Sequence, residues 1–177
     1  AIIISSTTAI NDNPSLTCRL PGMIKYSPIR IILDAFRRVP NNLEIFKNVS
    51  NIPVWIFTSI PINEKINQES IDLGVKIINV NNDRFGYGVN LKQVFSSLSG
   101  NGIMRVLVES GGNLSSALMN EKLIDRLVIY RAPSVIGGDG MSAIESINVS
   151  SLSDRLQFKL IRIEEFDENI IETYKVL

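Results

Sequence analysis

Short runs of β-branched apolar residues punctuate the first two-thirds of the chain. Residues 1–5 (AIIIS), 30–34 (RIILD), 53–58 (PVWIFT), 75–80 (VKIINV) and 105–109 (RVLVE) place consecutive apolar side chains together without polar alternation. Such runs predict strands covered on both faces, and hence a mainly parallel sheet. Residues 90–98 carry Leu91, Val94, Phe95 and Leu98 at helical spacing, and residues 114–123 do the same with Leu114, Ala117, Leu118 and Leu123. The last third changes character. Residues 125–133, 156–165 and 168–176 read as strands, and the short Phe166-Asp167 connection predicts an antiparallel hairpin. Residues 133–153 are loop-rich, with Gly137, Gly138 and Gly140. No repeat and no interdomain linker interrupts the pattern. The predicted architecture is α/β in three layers, helices on both faces of one mixed sheet that ends in a C-terminal antiparallel hairpin, as a single domain over residues 1–177.

Composition narrows the chemistry. The 177 residues carry 18 Lys+Arg against 18 Asp+Glu, a net charge of zero. With no long basic run, this argues against a dedicated nucleic-acid binder. No apolar run reaches the roughly 18 residues needed to span a bilayer. The chain has no His and one Cys, Cys18. That excludes a Ser-His-Asp triad, a His-liganded zinc and an intrachain disulfide, and it suits a reducing cytoplasm. Catalysis therefore falls to carboxylates, hydroxyls, Lys or Arg, backbone amides or a bound cofactor. The chain opens on Ala1-Ile2-Ile3-Ile4 with no initiator Met, which reads as a fragment of a longer protein.

Four segments hold candidate chemistry. Glu109-Ser110-Gly111-Gly112-Asn113 joins a strand to a helix. Glycines there let a ligand approach the backbone, and helix-start N–H groups favour an anion. The same segment also reads as a tight turn with Asn113 as the cap. Glu109 ends its strand at the carboxyl end, where open α/β sheets place ligands. Residues 6–19 are dense in hydroxyls and amides and close with Arg19, whose planar fork suits a phosphate or carboxylate. A solvated loop with an Asn-Pro turn is the alternative. Arg37 and Arg38 follow the second strand, as a phosphate contact or as a solvated basic turn. Residues 136–140 form a glycine-rich loop over a ligand or an ordinary turn.

Several of these runs occur together and in order: Asp12-Asn13-Pro14-Ser15-Leu16-Thr17 with Arg19, Pro28 to Asp34, Val108 to Leu114, Leu123-Ile124-Asp125, and Ala132-Pro133 with Ile136-Gly137-Gly138. The chain in this respect resembles, over nearly its whole length, the reductase domain of the RibD type from riboflavin biosynthesis. The resemblance implies a dihydrofolate-reductase-like fold, NADPH as cofactor, and reduction of the phosphorylated pyrimidine 5-amino-6-(5-phosphoribosylamino)uracil to its ribitylamino product. It implies cofactor contacts at Thr8, Asp12, Gly111, Gly112, Asn113, Leu114, Ser115, Ser116 and Ala117. It implies substrate contacts at Leu16, Arg19 and Glu109, and a homodimer to which residues 156–176 contribute. A pteridine reductase of the same fold, or a catalytically silent dimerisation module for a deaminase, are the other readings of this chain.

The departures from the family are specific. Family members carry a further strand and helix before the position of Ala1, and many carry a zinc deaminase domain upstream; neither lies in this chain. The family's cofactor-contacting Ser after the Asp34 position is Ala35 here. Arg37 or Arg38 is then the expected substitute at the 2′-phosphate.

Overall fold

In the computed structural model, which describes residues 1–177, five of the expected strands form one parallel sheet. They are β1 (Ile2–Ser5), β2 (Arg30–Leu33), β3 (Val54–Thr58), β4 (Lys76–Asn79) and β5 (Leu107–Val108), in the order β4-β3-β2-β1-β5. Ile3 stands opposite both Ile31 and Val108, Ile31 opposite Trp55, and Ile56 opposite Ile77. Successive side chains in a strand point to opposite faces. Ile3, Ile4, Ile31, Ile32, Ile56 and Phe57 are all buried, so the three central strands are covered on both sides. Each such side chain contributes roughly 1.5–3 kcal/mol relative to exposure. The two outer strands depart from the expectation. In β4 only Ile77 is buried, and β5 is two residues long with Leu107 exposed. An edge strand lacks a neighbour on one side, and the apolar run alone does not reveal that.

The chain lays down β1 to β4 in one direction and then returns to the far side of β1 for β5. The order reverses between β1 and β5, and ligands of open α/β sheets sit outside the carboxyl ends of strands at such a point. Three helices belong to this unit, α1 (Ser6–Asp12), α2 (Lys65–Asp72) and α3 (Leu91–Gly100). In α3 the expected face is the buried one, through Leu91, Val94 and Leu98, and Asn90 caps the start by accepting from the Gln93 N–H at 3.0 Å. The segment α2 was not foreseen. Its sequence KINQESID is mostly polar, and it buries Asn67 and Ser70 rather than an apolar stripe.

Residues 1–110 and residues 111–177 are two compact units. The second holds α4 (Gly112–Asn120) and a three-stranded antiparallel sheet of β6 (Arg126–Arg131), β7 (Phe158–Phe166) and β8 (Asn169–Val176), in the order β6-β8-β7. The β7–β8 hairpin is the predicted one, and Asp167 supplies a positive φ of 51° at its turn. The strands expected to complete a single mixed sheet pair with one another instead. Six to eight residue pairs bind each of them to β8, whereas β5 offers only two residues to any neighbour. No helix is long and apolar enough to cross a membrane.

Candidate functional site

The segment expected as a hydroxyl-rich loop after β1 is in its first half a helix, α1. Ser5 is the cap: its Oγ accepts the Thr8 N–H at 3.1 Å and lies 3.0 Å from Thr8 Oγ1. The density of hydroxyls is thus partly capping chemistry, which composition alone does not separate from ligand binding. Asn13 ends the helix in the left-handed region, its N–H donating to Ala9 O at 3.2 Å. Its side-chain Oδ1 accepts the Glu44 N–H at 2.8 Å and ties the helix end to the residues before β3. Asp12 is exposed on the last turn of α1. A carboxylate there faces the negative end of the helix dipole, an unfavourable placement of a few tenths of a kcal/mol or more.

Beyond α1, Leu16 takes a φ of 51° and packs its half-buried side chain against the core around Ile4, Ile32 and Ile45. It anchors the loop that carries Arg19. Arg19 is exposed and belongs to that loop, separated from the end of β1 by α1. Glu109 is exposed at the carboxyl end of β5, with its N–H bonded to Ile3 O at 3.0 Å. That bond fixes Glu109 beside β1, at the reversal of strand order.

The turn after β2 separates the two adjacent arginines. Asp34 is fully buried. Its Oδ1 accepts the Arg38 N–H and its Oδ2 the Val39 N–H, both at 2.9 Å. Arg37 folds inward at a φ of 56° and is 6% exposed. Its Nε donates to Asn67 Oδ1 at 2.8 Å, its Nη2 to Ser70 Oγ at 2.5 Å, and its Nη1 lies 3.5 Å from Asp34 Oδ2. Burial lowers its pKa from the ordinary arginine value and the Asp34 carboxylate partly restores it. Arg37 is therefore a buried strut between β2 and α2. The expectation that it meets a cofactor phosphate is corrected, because its donors are already engaged away from solvent. Arg38 is exposed, and its Nη2 donates to Ser6 Oγ at 3.0 Å at the start of α1. Sequence reasoning missed Asn67 and Ser70; nothing in a polar helix marks the two residues that receive an arginine 30 and 33 positions earlier.

In the second unit α4 starts at Gly112, with Gly111 as the cap position and no side-chain cap bond. Asn113 lies inside the first turn, so its expected alternative role as cap is corrected. The two glycines differ. A Cβ on Gly111 would meet nothing within 4 Å. A Cβ on Gly112 would stand 2.6 Å from Ser142 O and 3.0 Å from Glu145 N, because residues 142–145 pass directly over it. The Glu145 N–H bonds Gly112 O at 3.3 Å. Gly112 is thus needed by the chain's own packing, whereas a side chain at Gly111 would meet no neighbour. Ser115 Oγ donates to Gly111 O at 3.3 Å and Ser116 Oγ, on a buried side chain, to Asn113 O at 3.0 Å. Leu114 and Ala117 are half-buried on the same turns. A helix start without a side-chain cap bond fits a phosphate oxygen.

Comparison with known proteins adds to this geometry. The family model described as RibD C-terminal domain matches residues 1–171. The riboflavin biosynthesis protein RibD of Bacillus amyloliquefaciens is 35% identical over 163 residues, 90% of this chain and 42% of that protein. A protein of Buchnera aphidicola subsp. Acyrthosiphon pisum named 5-amino-6-(5-phosphoribosylamino)uracil reductase is 29% identical over 180 residues, 96% of this chain and 83% of its own length. The solved structure of Acinetobacter baumannii RibD, form 2, superposes with a TM-score of 0.83 at 27% identity, over 100% of this chain and 47% of that one. The chain spans less than half the length of the RibD relatives it matches.

Proposed function

The chain belongs to the RibD C-terminal domain family, and from that premise we propose that it reduces 5-amino-6-(5-phosphoribosylamino)uracil to the ribitylamino product of riboflavin biosynthesis, with NADPH. The observation that carries the reading is the similarity, over most of both chains, to a protein bearing that reductase's name. When bound, the nicotinamide supplies the hydride that reduces C1′ of the ribose in its opened imine form. The protein supplies position and charge.

Thr8 and Asp12 on α1 and residues 111–117 on α4 hold the cofactor in this reading. The start of α4, which has no side-chain cap bond, receives a phosphate. Arg38 takes the place of the family serine at Ala35, because its guanidinium is exposed where β1 and β2 end, while Arg37 is consumed in the fold. Arg19 anchors the anionic end of the substrate, with Leu16 holding the loop. Glu109 accepts from ring N–H donors of the pyrimidine. A deaminase domain in the same polypeptide, a homodimer using residues 156–176, and work in the cytoplasm complete the proposal.

The test is cofactor oxidation followed by the loss of reduced-nicotinamide absorbance. The purified protein is expected to bind NADPH at micromolar concentration and to oxidise it only when the pyrimidine is present. Turnover of dihydrofolate alone would favour a pteridine reductase. Neither binding nor oxidation would favour a silent module.

A further inference from the structure

Arg30 is the first residue of β2, at the amino edge of the parallel sheet, the opposite edge from Ser5, Asp34 and Glu109. It is 1% exposed. Its sequence position, at the head of an apolar strand, marks it only as a strand residue. A fully buried guanidinium is almost always paired with a carboxylate, because an uncompensated charge in the interior is costly. Arg30 has none. Nη1 donates to Ser15 O at 3.3 Å and Lys47 O at 3.4 Å, and Nη2 to Lys47 O at 3.4 Å and Ile52 O at 2.5 Å. These are neutral carbonyls, and two of the three are engaged only at long range. Its Nε–H is buried with no acceptor at all. Burial alone pulls its pKa down from the usual arginine value, with no carboxylate to restore it, unlike Arg37.

The same residue lines a cleft of about 630 Å³. That volume lies within the range of small-molecule sites, roughly 300–1,000 Å³. The wall adds Lys25 and Lys47 to Arg30, against one acid, Glu44, whose Oε1 is held by Lys47 Nζ at 2.5 Å. Three cations against one anion leave the cleft electropositive. Thr17, Asn48 and Asn51 supply neutral polar groups along it. A charge that finds no carboxylate within its own chain, in the wall of a cleft that also carries two lysines, calls for an oxyanion from outside. The cleft exceeds what a bare phosphate fills, and its amides and hydroxyl suit the hydroxyls of an attached polar body.

We propose that this amino-edge cleft is a second binding site, separate from the reductase site, for a small sugar phosphate, whose phosphate meets Lys25 and Lys47 above Arg30 and whose hydroxyls meet Asn48, Asn51 and Thr17. The site does not depend on the proposed reaction. Titration calorimetry with glucose 6-phosphate, inorganic phosphate and glucose, at constant ionic strength, tests it, with backbone amide NMR to place the ligand. Saturable binding of glucose 6-phosphate is expected, weaker binding of inorganic phosphate and none of glucose. Amide shifts should centre on Lys25 and residues 47–52, away from Leu16, Arg19 and Glu109 of the reductase site. The double variant Lys25→Gln, Lys47→Gln, which leaves the buried strand untouched, should weaken binding at least about tenfold, the scale of one lost charged hydrogen bond. Arg19→Ala should leave it unchanged. No saturable binding of either phosphate, unchanged affinity in the double variant, or shifts confined to residues 5–19 and 109–117 would overturn the site. Equal affinity for inorganic phosphate and the sugar phosphate would overturn the assignment of a sugar ester.

Discussion

Replacing Asp34 by Ala should cost more stability than replacing the arginine beside it. Asp34 accepts two backbone N–H groups at 2.9 Å each, and one of them belongs to the buried Val39. In Asp34→Ala the Val39 N–H is stranded away from water, at about 1–3 kcal/mol, and the Arg38 N–H, partly reachable by solvent, costs less. Arg37 also keeps its charge in the interior without a carboxylate. Stranding a buried charge reaches about 3–5 kcal/mol when the pair is close. Here the contact is 3.5 Å, so only part of that figure applies. The sum for Asp34→Ala is about 3–5 kcal/mol. Arg37→Met removes the charge itself. It leaves the Asp34 carboxylate its two backbone donors but no cation, takes the partner from Asn67 Oδ1, and leaves Ser70 Oγ still donating to Asn41 Oδ1, at about 1–3 kcal/mol. The double variant should cost less than the two singles added together, because the stranded arginine is gone. Urea unfolding at neutral pH, with slopes compared across the four proteins, measures all three quantities. An Arg37→Met loss equal to or larger than that of Asp34→Ala, or strict additivity, would refute the view of Asp34 as a clamp on the turn.

Other outcomes follow from the same geometry. Arg38→Ala should weaken NADPH binding by about tenfold, the effect of one charged hydrogen bond, and leave NADH binding unchanged; equal losses for both cofactors in a binding titration would remove its 2′-phosphate role. Gly112→Ala should destabilise by about 1–3 kcal/mol through collision with Ser142 O. Gly111→Ser, a favoured cap with open space, should hold stability within about 0.5 kcal/mol by thermal unfolding while weakening NADPH binding. Arg19→Ala should lower kcat/KM for the pyrimidine by an amount equivalent to about 2–5 kcal/mol with NADPH affinity retained, and Glu109→Gln should lose less than Glu109→Ala. Wild-type kcat/KM in both Arg19→Ala and Glu109→Ala would remove them from the substrate site. Light scattering at dilute concentration should give a mass above the 19.7 kDa of one chain, and a monomer would contradict the proposed dimer.

The strands that build the sheet were legible because burial on both faces leaves a continuous apolar run, and Ile2 to Ile4, Ile31 to Leu33 and Val54 to Phe57 each show one. What the run does not carry is lateral position. Ile77-Ile78 and Leu107-Val108 look central by composition and prove to be edge strands. Helix α1 was hidden because Ser, Thr and Asn serve equally as caps and as loop residues; only the 3.1 Å bond from Thr8 N to Ser5 Oγ decides. Of the candidate site, the glycine pair and the carboxyl-end position of Glu109 were readable from order alone. The division of labour between Gly111 and Gly112 was not, since it depends on residues 142–145, thirty positions downstream. Nor was the opposite fate of Arg37 and Arg38. A positive φ at Arg37 turns one side chain inward and leaves the next outside, a one-residue choice that Asp34 enforces.

The most direct measurement of the central claim is isotope transfer. NADPH deuterated at the transferring position of its nicotinamide is incubated with the protein and 5-amino-6-(5-phosphoribosylamino)uracil, and the product is examined by mass spectrometry and NMR. The expected result is one deuterium per molecule, at C1′ of the ribityl chain, with one NADPH oxidised for each product formed. Unchanged substrate in the presence of bound NADPH, or deuterium appearing elsewhere than C1′, would contradict it.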